Sequence, residues 1–225
     1  MNAAIIVAAG RSERMGKQVD KAFVALGSRP VVAHAIRAFE LCPDIDTIVL
    51  VVRKNRLDAA RGMCQMFGFS KVHHILPGGT RRQDSVMAGL ECLNGDAATV
   101  AVHDGARPCV TPEVISETIR VARRSGTAVA ATKVNDTIKY VERGLTVTRT
   151  IDRSKLWAVQ TPQTFKLSVL NDAFAAVTKK RAVVTDEASA VELAGGKVRL
   201  VESPSTNIKI TTVADLSIAA ALLDL

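Results

Sequence analysis

The sequence predicts an α/β fold: a mostly parallel sheet with helices on both faces and a protruding β-hairpin arm. Three observations lead there. Short β-branched runs alternate with segments of helical periodicity, the pattern of strand–helix–strand units. The strand candidates are apolar nearly throughout, as strands buried on both faces are. The regularity breaks once, after Thr132, where polar and β-branched residues alternate around Arg143-Gly144.

The first strand is predicted over residues 4–8, where Ile5, Ile6 and Val7 run into the small residues Ala8-Ala9-Gly10. A helix follows over 30–41, with Pro30 at a first-turn position. Strands at 47–52 and 72–76 enclose a helix at 56–67, and a strand at 99–103 follows a helix at 81–93. Thr111-Pro112-Glu113 reads as N-cap, N1 and acidic first turn of a helix over 111–124. A strand at 128–132 closes this regular part. Residues 136–142 and 146–152 then read as a hairpin with two wet faces. A two-stranded ribbon without an apolar face is marginal alone, so a second subunit is expected to cover it. Beyond it come 157–162, helices at 167–179 and 186–193, a strand at 197–201 and a last helix at 213–223. No repeat, low-complexity tract or linker interrupts the chain. A single domain over 1–225, with a dimerisation arm at about 133–155, is expected.

With 225 residues and 48% apolar composition the chain can bury one sizeable core. No apolar run is long enough to span a bilayer, and the N-terminus lacks a signal peptide's basic start and cleavage site, so a cytoplasmic protein is expected. The net charge of +8 favours an anionic partner, either nucleic acid or a phosphorylated small molecule. Aromatics make up only 4%, which argues against stacking platforms for single strands. The four cysteines form no C-x-x-C pair and the four histidines are scattered, so neither a zinc site nor a disulfide framework is expected.

In such sheets ligands sit beyond the carboxyl ends of the strands. Four loops carry candidate chemistry. The first runs from Ala8-Ala9-Gly10 through Arg11, Arg14 and Lys17 to Lys21. Small residues let backbone N–H groups approach an anion, and the cations neutralise it. The second, Gly78 to Ser85, sets Gly78-Gly79 before a helix N-terminus, to hold a phosphate or to read a base edge through main-chain groups. The third, Val102 to Pro108, places Asp104 at a strand end, suited to ribose hydroxyls, a metal or a polyol. Its Arg107 either pairs with a phosphate or locks the loop onto a carboxylate, the structural role being favoured; His103 reads as an ordinary strand-end residue. The fourth, Asn207 to Thr212, carries Lys209 among β-branched residues. No Ser/His/Asp set, no H-E-x-x-H and no acidic cluster for two metals stands out. The candidate catalytic groups are cations, which points to phosphoryl or nucleotidyl transfer. A phosphate monoester nucleophile is largely dianionic at neutral pH and needs positioning and neutralisation, not a general base.

Taken together the loops closely resemble the 2-C-methyl-D-erythritol 4-phosphate cytidylyltransferase family. AAG-x-x-x-RM with Lys21, GG-x-x-R-x-x-S, HD-x-ARP, Asp136-Thr137, DR-x-x-LW-x-x-QTPQ, TDEAS and NIKIT occur in the family's order over essentially the whole chain. The resemblance implies a Rossmann-like nucleotidyltransferase fold, dependence on Mg²⁺ bound with CTP, and a homodimer whose arms embrace. It implies catalytic roles for Arg14, Lys21, Arg153 and Lys209. It implies nucleotide contacts from Ala8, Ala9, Gly10, Gly79, Ser85, Asp104 and Lys209. Contacts to the methylerythritol phosphate are implied for Asp104, Arg107, Thr137, Arg153 and Thr161, with Asp104 also a metal candidate. Asp20 stands where a proline commonly precedes the lysine, and Val7 where many relatives have proline. Some relatives in the family carry a cyclase domain after this one; none is expected within these 225 residues.

A ribitol-5-phosphate cytidylyltransferase would share the CTP loops, but 152–157 and TDEAS look more like the methylerythritol enzyme. A basic, non-catalytic nucleic-acid-binding domain would explain the charge but not four phosphate-type loops at strand ends. The expected partners are therefore CTP, methylerythritol phosphate and a second copy of the chain, with no nucleic acid and no membrane.

Overall fold

The computed structural model describes residues 1–10 and 20–225. Its first strand, β1 (Asn2–Ala8), is buried along almost its whole length. Ala4, Ile6 and Ala8 point into one core layer, Ala3 and Ile5 into the other. Burying one such isoleucine is worth about 1.5–3 kcal/mol, so this strand alone anchors both layers. After Lys21 come a two-strand turn, β2 (Ala25–Leu26) and β3 (Arg29–Pro30), and the helix α1 (Val31–Leu41). Then follow β4 (Thr47–Val52), α2 (Leu57–Phe67), β5 (Val72–Pro77), α3 (Arg82–Cys92), β6 (Thr99–Asp104), α4 (Pro112–Ser125) and β7 (Thr127–Lys133). The arm strands are β8 (Ile138–Tyr140) and β9 (Arg149–Ile151). The chain continues through β10 (Trp157–Lys166), α5 (Leu167–Lys179), α6 (Glu187–Leu193), β11 (Leu200–Glu202) and α7 (Ala214–Leu222).

Among the described residues the main sheet has the order β11-β7-β10-β6-β1-β4-β5. β1 pairs in parallel with both β4 and β6, and β4 with β5. Helices α1, α2 and α4 cover one face through Ile36, Met63 and Ile115; α3, α5 and α6 cover the other through Val86, Leu170 and Val191. Thr111 occupies the N-cap position of α4 in extended conformation, though its side chain makes no capping bond; Pro112 opens the helix, and Gly126 ends it in the left-handed region at φ +86°. No helix among the described residues is long and apolar enough to cross a membrane.

Several elements differ from the sequence reading. Pro30 is not in the first turn of α1. It is the N-cap, in extended conformation, and it also pairs in β3 with Ala25 across the Gly27 turn. The stretch after the arm becomes the long strand β10, antiparallel to both β6 and β7. Its polar residues hide it: Gln160, Thr161, Gln163 and Thr164 are all buried and all hydrogen-bonded. Its pairing with β7 shifts register between Val159 and Gln163, where Pro162 has no N–H to donate. The last strand begins at Leu200, later than expected, and pairs in parallel with β7. The arm's strands are shorter than expected, and its surface is not wholly polar. Tyr140, Val141, Leu145 and Val147 are exposed, Leu145 at 98%.

Candidate active site

Register sets the site. Ala8 pairs with Val52, Val7 with Asp104 and Val52 with Pro77, so four strands end level along one edge. The loops leaving those ends meet around a cavity of about 940 Å³. Ala8, Ala9 and Gly10 form one wall, Gly78 to Arg82 with Ser85 another, and Asp104, Lys21 and Lys209 face across it. All four loops picked out in the sequence thus reach the same space. Arg53 and Lys54, beyond β4, add cations that the sequence reading did not select.

The two walls abut where Gly78 meets Ala9. A Cβ on Gly78 would lie 2.2 Å from Ala9 Cβ and 2.8 Å from Ser85 Oγ, so only glycine lets these loops approach. The Gly79 N–H donates to Ser85 Oγ at 3.1 Å, and that hydroxyl in turn donates to the Arg81 carbonyl at 3.3 Å. Ser85 therefore braces the loop from behind while still lining the cavity.

At the base of the cavity stands a buried charge cluster. Arg82, the first residue of α3, donates through Nε to Asp104 Oδ1 at 3.0 Å. Its other nitrogens grip Glu187 in a two-point pair at 2.6 and 3.0 Å. Lys209 Nζ lies 2.7 Å from Asp104 Oδ2, and Arg107 Nε 3.9 Å from the same oxygen. Burial alone would raise the Asp104 carboxyl, but Arg82, Lys209 and Arg107 outweigh it and hold it well below the usual carboxylate range. For Glu187 burial prevails and pushes the carboxyl up, with Arg82 pulling the other way. Burial tends to lower Arg82, yet Glu187 and Asp104 keep it above its ordinary value. Three cations face two carboxylates here, so the cluster keeps a positive surplus suited to a polyanion.

Behind this cluster a hydrogen-bonded scaffold fixes it. The Asp104 N–H donates to Thr161 Oγ1 at 3.0 Å, which leaves the hydroxyl proton for His103 Nδ1, also at 3.0 Å. His103 Nε2 then donates to the Arg107 carbonyl at 3.2 Å, which fixes the neutral tautomer. Burial lowers the His103 pKa to about 4, so the ring stays neutral at physiological pH. Arg107 donates to the Asn207 carbonyl at 2.7 Å, while the Asn207 amide donates to Gln160 and to the Thr161 carbonyl. The Ile210 N–H donates to the Ala106 carbonyl at 2.8 Å. Lys209 is held in place by these bonds on both sides of it.

The expected site residues fall into three groups. Ala8, Ala9, Gly10, Lys21, Gly79, Ser85, Asp104 and Lys209 come together on the cavity wall, with Lys21 Nζ 3.3 Å from the Ile210 carbonyl. Arg107 and Thr161, for which the resemblance implied acceptor contacts, do not line this cavity, and Arg107 stands in the loop-locking role that its own loop favoured, beside Asp104. Thr161 is 4% exposed with its hydroxyl engaged by the Asp104 N–H and His103, and Arg107 donates one nitrogen to the Asn207 carbonyl while its Nε lies buried 3.9 Å from Asp104 without a hydrogen-bond partner among the described residues. Thr137 and Arg153 sit on the arm, exposed, and line no part of this cavity in their own chain; Arg153 donates to the Asn135 carbonyl. Arg14 lies outside the described residues. The reading missed Arg82 and Glu187 as a pair. Both stand inside quoted motifs, but a buried Glu–Arg contact between distant loops leaves no local trace.

As a metal site the described residues fit only an ion carried mainly by another ligand. Both Asp104 oxygens already accept from cations, and no cluster of three ligating side chains occurs among the described residues.

Comparison with known proteins agrees with this geometry. The family model described as 2-C-methyl-D-erythritol 4-phosphate cytidylyltransferase matches residues 2–225. The curated protein of that name from Alkaliphilus oremlandii (strain OhILAs) is 40% identical over 220 residues, covering 97% of this chain and 93% of its own length. That from Desulforamulus reducens (strain ATCC BAA-1160 / DSM 100696 / MI-1) is 43% identical over 221 residues, covering 98% and 94%. The crystal structure of 4-diphosphocytidyl-2C-methyl-D-erythritol synthase from Anaerococcus prevotii DSM 20548 superimposes with TM-score 0.87 at 30% identity, covering 100% of this chain and 96% of that one.

Proposed function

The chain belongs to the 2-C-methyl-D-erythritol 4-phosphate cytidylyltransferase family, and from that premise we propose how its residues carry the reaction. The enzyme transfers CMP from CTP to 2-C-methyl-D-erythritol 4-phosphate in the non-mevalonate isoprenoid pathway. A phosphate oxygen of the acceptor bonds to the α-phosphorus of CTP. The bond from that phosphorus to the bridging oxygen breaks, and pyrophosphate leaves with its electron pair.

The observation that carries this reading is the cation-rich edge where Ala8–Gly10, Gly78–Gly79, Asp104, Lys21 and Lys209 share one cavity. The triphosphate lies against the small-residue walls. Lys21 and Arg14 neutralise the charge that builds at the α-phosphate. Lys209, held by Asp104, positions the incoming phosphate. No side chain need take a proton, because the nucleophile is already an anion. Mg²⁺ would be held mainly by the triphosphate, beside Asp104, and would offset the triphosphate's charge.

The acceptor's contacts are completed by a second copy of the chain. Thr137 and Arg153 lie off their own cavity, and the arm exposes Leu145 and Val147, apolar side chains that a partner would cover. The active protein is thus a homodimer, it works in the cytoplasm, and it binds neither nucleic acid nor membrane.

The test is pyrophosphate release across CTP, UTP, ATP and GTP, with methylerythritol phosphate and ribitol phosphate as acceptors. Release is expected with CTP and methylerythritol phosphate, and to stop in excess chelator. Equal turnover of ribitol phosphate would overturn the acceptor assignment, and full turnover in chelator the metal.

A further inference from the structure

We propose that Arg53 is a positioning residue that ties together the two ends of the segment joining β1 to Lys21. The inference rests on the cytidylyl-transfer reading above. Arg53 directly follows β4 and lines the cavity. Its Nη2 donates to the Gly10 carbonyl at 2.7 Å. Its Nε is buried without a hydrogen-bond partner among the described residues and lies 4.0 Å from Asp20 Oδ2, a charge contact longer than a hydrogen bond. Gly10 and Asp20 are the described residues on either side of 11–19, so one guanidinium meets both ends of that stretch.

Asp20 directly precedes Lys21. Its side chain is 3% exposed, and Arg56 Nε reaches the same oxygen at 3.3 Å. Its other oxygen, Oδ1, is buried without a hydrogen-bond partner among the described residues. The buried carboxylate therefore depends on the two guanidinium charges. The Asp20 carbonyl accepts the Phe23 N–H at 2.9 Å and opens the single helical turn Lys21–Phe23. Moving Asp20 thus moves Lys21. A proline would hold this point through its fixed φ; here two guanidinium groups that follow β4 lie against the Asp20 carboxylate. A guanidinium suits the task because its separate N–H groups face two partners at once, which an ammonium on a flexible stem does not match.

The experiment measures kcat and both KM values for Arg53→Met, Asp20→Asn, their double variant, Arg53→Lys and Arg56→Met. Calorimetric CTP affinity is measured on the same proteins. Arg53→Met is expected to lower kcat and weaken CTP binding by about tenfold each, a displacement effect at Lys21. The KM for the acceptor should stay within about twofold. The double variant should lose no more than Arg53→Met alone, since the pair acts as a unit. Arg53→Lys should not restore activity, and Arg56→Met, which removes a contact to Asp20 but none to Gly10, should lower kcat and CTP affinity less than Arg53→Met does. Additive losses in the double variant would make Arg53 a direct phosphate ligand and overturn the proposal. So would Arg53→Met kinetics and CTP affinity indistinguishable from the parent. If the parent released no pyrophosphate from CTP, the cytidylyl-transfer reading would fail, while the calorimetric cycle would still decide the tie.

Discussion

Lys209 Nζ and Arg82 Nε take opposite oxygens of Asp104, at 2.7 and 3.0 Å. One carboxylate thus holds a cavity-facing ammonium on one side and a buried guanidinium on the other. The two cations have different jobs. Lys209 remains 37% exposed and can turn toward a phosphate, whereas Arg82 is bound to Glu187 as well and is structural. Asp104 stays ionised because those neighbours hold its pKa down, so Lys209 keeps a fixed anchor at working pH.

Lys209→Met should therefore damage chemistry more than binding or folding. A fall in kcat of about 10²–10³ is expected, with the KM for CTP rising by less than about tenfold. Urea unfolding should shift little, since Asp104 retains Arg82. A normal kcat with only a raised KM would reassign Lys209 to simple binding.

Glu187 should matter to stability in a different way. Its removal leaves Arg82 with two of its three side-chain hydrogen bonds lost. Stranding one member of a buried pair costs about 3–5 kcal/mol. Glu187→Ala should lose stability on that scale in chemical denaturation, and Glu187→Gln less, because the amide still accepts one bond. An unchanged unfolding midpoint for Glu187→Ala would show that Arg82 finds another partner.

His103 gives stability a definite pH dependence. Its folded pKa is lowered to about 4, mainly by burial, against about 6.5 when unfolded. Between these values the unfolded chain binds the extra proton and the folded chain does not. Stability from this residue is therefore fully present above about pH 6.5 and declines as pH falls toward 4, by at most about 3 kcal/mol. Comparing urea midpoints at pH 7 and pH 5 for the parent and His103→Gln should show a flatter response in the variant. Equal slopes would mean that other groups set the acid sensitivity.

The arm predicts complementation between inactive variants. If Thr137 and Arg153 complete the partner's site, a mixed dimer of Lys21→Ala and Arg153→Ala has one intact site and one doubly damaged site. Random assembly makes half of the dimers mixed, so about a quarter of full activity should return on co-refolding. Activity that stays at the level of the separate variants, with mixed dimers confirmed, would mean that each site is built within one chain.

Much of this was legible in the residues. The apolar runs of β1, β4 and β6 announce themselves because strands buried on both faces need no polar alternation. The loops at their ends were readable for the same reason, as small or charged residues following a buried strand. Two things were not legible. β10 buries Gln160, Thr161, Gln163 and Thr164, and a strand whose polar side chains are satisfied by distant partners looks like a loop. The Arg82–Glu187 contact joins residues far apart in the chain, so neither residue signals its partner. Asp20 shows the reverse. It stood out as a departure from a commonly seen proline, but only the positions of Arg53 and Arg56 explain how it is accommodated.

The place of β10 also bears on how the chain is made. It lies between β6 and β7, which do not pair with each other, and it is the later of the three in sequence. During synthesis β6 and β7 must both emerge and wait, each with an open row of backbone donors and acceptors. An unpaired apolar edge of that kind invites association with other nascent chains until the missing strand arrives. A ribosome-bound fragment ending before Trp157 should accordingly engage chaperones more strongly than one extending past Lys166, where antiparallel pairing on both sides closes the gap.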